Sequence, residues 1–321
     1  MRVARLAPRP AVLVIQPPPS WASPGLVPSC HMTIWGMSAT LALADPARIP
    51  AALAVLSELV HDVDDAANRF RPDSEVSRLN ETGHLGELSA TMLDLLALNR
   101  IAFELTSGAC DPTILPALLA AGYDRDIADL PPSLDPMAVE RDVPAIPASG
   151  MKAVTVDVLA RSATLGPGCR IDLGALAKAY LVDRAVEALG PDVLVEVGGD
   201  VAARGAGPDG PWVVAVSPVL VVDGTEPRVA LRDGALATSS IARAWVGAHH
   251  IIDPRTGRPS RTPYAAATVA APTCSVANAF STAALVMESP DYHLAQADLS
   301  ARLVRRDGVV ELVGAWPRDC T

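Results

Sequence analysis

Asp172-Leu173-Gly174-Ala175-Leu176-Ala177-Lys178-Ala179-Tyr180 reads as the end of a strand passing through an elbow of small residues into a helix that runs to about Leu189. Small side chains let the first helical turn come close to a ligand, and an anionic group placed there would meet free N–H groups and the positive end of the helix dipole. Lys178 lies one turn in, on the side of Gly174 and Ala175. A solvated helix lysine is the plainer reading. It is less attractive here, because of 26 basic residues only Lys152 and Lys178 are lysine.

Working outward, Val154 to Val158 and Ala163 to Leu165 form a short hairpin ahead of this helix. After it come mainly strands: Val193 to Val197, Trp212 to Val216, Val229 to Leu231, His250 to Ile252 and Ala267 to Ala271. Upstream, Thr33 to Leu43 alternates as a first strand. Pro46 and Pro50 open a helix with Leu53, Leu56, Leu59, Val60 and Val63 at three- and four-residue spacing. Ser89 can cap a second helix, in which Leu93, Leu96, Arg100, Ile101 and Leu105 mark one face and which ends at Thr106-Ser107-Gly108. Residues 129–149 hold five prolines and read as a surface loop. Ser275 to Met287 is helical, and a helix, a strand and a strand close the chain. Segregated helices and strands with more hairpins than crossovers predict an α+β fold, a mainly antiparallel sheet with packed helices.

The chain has 321 residues and a formal net charge of -10, which excludes a protein whose main partner is nucleic acid, since phosphate binding needs a basic face. Half the residues are hydrophobic, so a core can form, and with 4% aromatics it must be packed from Ala, Val and Leu. No window approaches eighteen uninterrupted apolar residues, so no membrane span is expected. Residues 1–31 read as a disordered, Pro-rich leader, with one folded domain over 32–321. The apolar run Ala11 to Ile15 breaks at Gln16-Pro17-Pro18-Pro19, early for a signal peptide. A lipoprotein reading would lipidate Cys30, against which Pro28 counts. Cys30, Cys110, Cys169, Cys274 and Cys320 are odd in number and widely spaced, which suggests free thiols and a cytoplasmic location.

Two further segments carry polar groups in patterned positions. Gly108-Ala109-Cys110-Asp111-Pro112-Thr113 is a tight turn presenting one carboxylate. The other is discontinuous: Val197-Gly198-Gly199-Asp200, His249-His250-Ile251-Ile252-Asp253-Pro254-Arg255-Thr256-Gly257, and the helix from Ser275. Paired glycines after a strand mark close backbone approach. Of two adjacent histidines beside a strand, one points in and one out. Asn278, Ser281 and Thr282 share one helix face, where their oxygens could serve a hard cation or simply face water.

Taken in order, Phe70-Arg71-Pro72-Asp73-Ser74-Glu75-Val76-Ser77-Arg78-Leu79-Asn80, Gly-Ala-Cys-Asp-Pro-Thr, Asp-Leu-Gly-Ala-Leu-Ala-Lys, Val-Gly-Gly-Asp, His-Ile-Ile-Asp-Pro-Arg-Thr-Gly and Ala277-Asn278-Ala279-Phe280-Ser281-Thr282-Ala283 resemble the FAD:protein FMN transferase (ApbE-like) family over residues 33–315. The resemblance implies an enzyme that binds FAD with Mg²⁺ at its pyrophosphate, moves FMN onto a Ser or Thr hydroxyl of an acceptor protein, and releases AMP. It implies cofactor contacts at Met37, Phe70, Ala109, Cys110, Asp111, Asp172, Lys178 and Ile252. Metal ligands would be Asn278, Thr282 and Ser281, with the backbone carbonyl of Ala175. His250 would take the acceptor proton.

The chain also departs from that pattern. Asn278 stands where the family has Asp, which keeps an oxygen but removes a charge, so weaker metal binding is expected, with FAD phosphates helping to hold the ion. Met37-Ser38-Ala39 replaces Met-Gly-Thr, and Thr238-Ser239-Ser240-Ile241-Ala242 lacks a glycine after Thr-Ser. Two alternatives stay open: hydrolysis of FAD to FMN and AMP, and non-catalytic FAD binding by a decayed metal site.

Overall fold

A computed structural model of the chain describes residues 13–15, 27–126, 129–133, 143–217, 226–242, 244–245 and 248–316. Its centre is a nine-stranded sheet in which spatial order follows chain order: Leu13–Ile15, Ser29–Ile34, Met37–Leu43, Val193–Val197, Asp200–Arg204, Gly234–Ser240, Tyr264–Ala271, Ser300–Arg305 and Val310–Val313. Every neighbouring pair is antiparallel. The expected α+β class with a mainly antiparallel sheet is what the chain adopts.

Two long connections carry the helices. Between Leu43 and Val193 run α1 (Ile49–Ala67), α2 (Glu75–Thr82), α3 (Ala90–Leu105), α4 (Leu115–Ala120) and α5 (Gly174–Leu189). Between Ala271 and Ser300 run α6 (Cys274–Ala284) and α7 (Pro290–Gln296). Helix α5 packs on α1, α6 and the strands from Val193 and Asp200, while α6 packs on the strands from Gly234 and Tyr264. The two helices therefore lie side by side across the middle of the sheet.

Strand alternation divides the core. Leu41, Leu43, Val193, Val195, Val197, Ala202, Ala235 and Ala237 face the helices. Ala42, Leu194, Val201, Ala203 and Leu236 face the other way, against Trp212, Val216, Val229 and Trp316. Ser74 and Ser89 cap α2 and α3 by accepting from Ser77 N–H at 3.2 Å and Met92 N–H at 3.0 Å.

Several expectations need correction. The sheet includes Leu13–Ile15, paired with Met32 to Ile34, and begins its second strand at Ser29, ahead of the expected start near Met32. The rest of the leader lies outside the described residues. The inner face of α3 is Met92, Leu95, Leu96, Asn99 and Ala102, whereas Ile101 and Leu105 are half exposed. Met92 to Leu98 is apolar almost all round, so spacing there does not choose a face. His250 is not in a strand: Ala248–His249 pairs with Ala244–Trp245, Ile252–Asp253 pairs with Arg258–Pro259, and His250 sits at the bend between. Cys30, Cys110, Cys169 and Cys274 are free thiols, and Cys320 lies outside the described residues.

Candidate functional site

The polar floor of the site is built from hairpin geometry and two helix starts. Val197 pairs directly with Asp200, leaving Gly198-Gly199 as a two-residue turn with φ of 58° and 91°. Such turns need positive φ at both central positions, which glycine supplies without strain. A Cβ on Gly198 would also meet Met37 Sδ at 2.7 Å, so this glycine makes room for Met37. By alternation, Asp200 shares the face of Ala202, and Ser239 that of Ala237, so both point toward α5 and α6. Asp183 of α5 accepts from Cys274 N–H (2.7 Å), Ser275 N–H (2.9 Å) and Ser275 Oγ (2.6 Å), fixing the start of α6 to its neighbour. One turn into each helix stand Lys178 and Asn278.

Asp200 joins them. Lys178 Nζ lies 2.6 Å from Asp200 Oδ2, and Asn278 Nδ2 donates to Asp200 Oδ1 at 2.9 Å. Asp200 is wholly buried. A carboxylate only accepts, so the nitrogen end of the Asn278 amide must face it. Asn278 Oδ1 therefore points away, buried and without a hydrogen-bond partner. Leaving such an acceptor unmet costs about 1–3 kcal/mol, which a ligand donor or a cation would offset. Ser281 Oγ donates to the Asn278 carbonyl at 3.1 Å, so Ser239 must donate to Ser281 (2.8 Å) and Thr282 to Ser239 (3.2 Å). These oxygens fit a hard cation that brings anionic ligands with it. Among the described residues, no group of three or more His, Cys, Asp or Glu could hold a metal by itself.

An aromatic wall adjoins this floor through the first turn of α5. Asp172 Oδ1 accepts from Gly174 N–H at 2.7 Å, and its Oδ2 pairs with Arg69 Nε at 2.7 Å. The Arg69 guanidinium sits 4.1 Å from the centroid of Phe70 and 4.4 Å from that of Tyr123. Tyr123 stacks on Trp245 at 5.1 Å, and Trp245 packs in a cluster with Ile252.

The Ala109-Cys110-Asp111 turn is held from inside. Cys110 packs among Ala102, Leu176 and Ala279, between α3, α5 and α6, and burial pushes its thiol up to about 12. Asp111 accepts from Thr113 N–H (2.8 Å) and Thr113 Oγ1 (2.7 Å), and burial raises its carboxyl above the usual range. Of the two histidines, His249 is the inward one. It is fully buried and its Nε2–H donates to the Ser260 carbonyl at 3.2 Å, which leaves Nδ1 bare. Burial, aided by the charge of Arg306, lowers it to about 4. His250 is half-buried.

The structure thus brings Met37, Lys178, Asn278, Ser281 and Thr282 around one floor, with Ala175 exposed on the first turn of α5 and Phe70 and Asp172 along the wall. Sequence reading missed Asp200, Ser239 and Arg69. Asp200 closes the Val-Gly-Gly-Asp segment in plain view, but turn chemistry singles out only its glycines. Two surface hollows of about 340 and 320 Å³ lie elsewhere, around Asp183 and Thr273, and include none of these floor residues.

A nine-stranded antiparallel sheet whose Asp200 meets Lys178 and Asn278 of a helix pair defines an α+β protein with its polar site between α5, α6 and one sheet face. The family model of the ApbE family matches residues 30–303, and the chain belongs to that family. It is 28% identical over 250 residues to the FAD:protein FMN transferase of Haemophilus influenzae, covering 72% of this chain and 71% of that one. With the FAD:protein FMN transferase of Escherichia coli it shares 26% identity over 268 residues, 77% of this chain and 72% of the other. Among solved structures, the ApbE protein of Thermotoga maritima superposes with a TM-score of 0.74 at 25% identity, covering 90% of this chain and 97% of that one. The flavin transferase ApbE of Vibrio cholerae, at 23% identity, shares the fold with a TM-score of 0.70, over 91% and 99% of the two chains.

Proposed function

We propose that this chain is an enzyme that transfers the FMN half of FAD, with Mg²⁺, to a Ser or Thr hydroxyl of an acceptor protein. The acceptor oxygen bonds to the FMN phosphorus, the pyrophosphate P–O bond breaks, and AMP leaves with the bridging oxygen. A bound Mg²⁺ would neutralise pyrophosphate charge and stabilise that leaving oxygen. The observation that carries this reading is the buried, unpartnered Oδ1 of Asn278 beside Lys178, in a floor lined with hydroxyl oxygens.

The chain's own residues divide the work. Asn278 Oδ1 and Thr282 Oγ1, with the Ala175 carbonyl and Ser281, are the oxygens that would hold the cation. Lys178 supplies a fixed positive charge and the start of α5 supplies N–H donors for the dinucleotide. Phe70 offers its ring to a flat heterocycle, with Met37, Asp172, Ile252 and the 109–111 turn completing the contacts. His250 takes the acceptor proton. We place the chain in the cytoplasm, on its unpaired thiols.

AMP release tests the reading against its nearest rival. Incubated with FAD and Mg²⁺, the chain should release AMP only when an acceptor protein is added. Equal release without acceptor would make it an FAD pyrophosphatase, and no release with any acceptor while FAD is bound would make Asn278 the mark of a non-catalytic binder.

A further inference from the structure

Arg69 holds a buried cationic side chain that the proposed reaction leaves unused. Its side chain is 8% exposed, its Nε is committed to Asp172 at 2.7 Å, and its Nη2 is buried without a hydrogen-bond partner. The plane of the guanidinium is fixed by Phe70 and Tyr123, whose ring centroids lie 4.1 and 4.4 Å from its central carbon. In a chain with only five Trp, four Tyr and three Phe, two aromatic rings flank this one cation. A charged donor left unmet in such a place costs more than a neutral one. Its held orientation would let a ligand acceptor be met with little loss of side-chain freedom.

We infer that Arg69 is a further ligand-contact residue, whose Nη2–H donates to a ring carbonyl or ring nitrogen of one heterocycle of FAD. The inference rests on the FAD reading above. A phosphate is the less suited partner, because Asp172 already pairs with the guanidinium and what remains unmet is the directed Nη2 group rather than a free positive charge. The neighbouring surface agrees. Phe70 is 39% exposed, so the wall beside the donor offers an aromatic face on which a flat ring can stack. Phe70 also covers the guanidinium, so its ring must shift as the heterocycle arrives, while Asp172 and Tyr123 keep the guanidinium in place. The two heterocycles of FAD share this acceptor chemistry, and fragments separate them.

The test is calorimetric titration of the full chain and of Arg69→Lys with FAD, FMN and AMP, each at fixed pH and salt. Lysine keeps a cation for Asp172 and loses the separate Nη2 donor group. Should it fail to fold, as judged by its thermal melt, Arg69→Gln takes its place. Loss of one hydrogen bond from a charged donor corresponds to about tenfold or more in Kd. The inference predicts that FAD and one of the two mononucleotides weaken by that factor while the other is unchanged. An equal fall for FMN and AMP would assign the contact to phosphate and overturn it, as would no fall for either. Failure of the unsubstituted chain to bind FAD would instead remove the functional reading on which the inference stands.

Discussion

Asp200 and Asn278 are hydrogen-bonded at 2.9 Å, and this one bond decides which end of the amide is left for a ligand. Replacing Asp200 by Ala should do two things at once. It removes the counter-charge of Lys178 and frees the amide to rotate. Breaking a buried ion pair by deleting one partner costs about 3–5 kcal/mol. Lys178 keeps 19% exposure, so a value near about 3 kcal/mol is expected in denaturant titration. Binding of Mn²⁺ in the presence of ADP, followed by electron paramagnetic resonance, should weaken as well. Unaltered binding would mean that Asp200 does not set the orientation of Asn278.

Asn278→Asp tests the same bond from the other side. It restores the carboxylate of the family pattern, yet sets that carboxylate against the buried Asp200. Without divalent cation the variant should be less stable than the parent by about 2 kcal/mol, since a hydrogen bond becomes a like-charge contact. With ADP and Mg²⁺ it should gain more stability than the parent does, because the cation binds the folded state alone. The double swap Asp200→Asn with Asn278→Asp, which reverses donor and acceptor, should recover most of the loss in EDTA. A swap no better than Asn278→Asp would contradict this.

Lys178→Met leaves a fully buried carboxylate with only the Asn278 amide. FAD affinity should fall about tenfold or more, and riboflavin affinity should hold, because the lost group faces phosphate. Adding Asp200→Asn should return stability without returning FAD affinity. Equal loss for FAD and riboflavin would place Lys178 outside the phosphate contacts.

Two groups shifted by desolvation give the stability curve opposing slopes. Burial, with Asp200 nearby, raises the Glu196 carboxyl from 4.5 to about 7, even though it accepts from Gly199 N–H at 2.9 Å. The folded state then holds a proton that the unfolded state has lost, so stability present below pH 4.5 declines as pH rises toward 7, by about 3 kcal/mol in all. Burial lowers His249 from 6.5 to about 4, so the unfolded state binds the extra proton and stability is lost as pH falls from 6.5 to 4. Glu196→Gln should match the parent at pH 4 and exceed it at pH 8. Denaturant titrations across that range check this, and parallel curves for the two proteins would refute it.

How much of this was legible in the sequence varies by element. The α5 stretch stands as read, from Gly174 to Leu189, because its small-residue start and apolar period both point to a helix. The strands Asp200–Arg204 and Gly234–Ser240 were missed, although they form the middle of the sheet and carry Asp200 and Ser239. Their sequences, Asp-Val-Ala-Ala-Arg and Gly-Ala-Leu-Ala-Thr-Ser-Ser, are rich in Ala and Gly, which have weak strand preference, and tertiary packing makes them strands. Lys178 stood out because lysine is rare here. Arg69 did not, since arginine is the chain's default cation and nothing local marks one among 24. Its significance lies in Asp172, which is 103 positions away in sequence and 2.7 Å away in space.

Intact-mass spectrometry of a candidate acceptor protein, incubated with this chain, FAD and Mg²⁺, tests the central claim most directly. The account predicts a mass increase of one FMN moiety on the acceptor, localised by fragmentation to a Ser or Thr and absent when the chain or the Mg²⁺ is omitted. An acceptor mass unchanged for every acceptor tried, with FAD demonstrably bound to the chain, would contradict it.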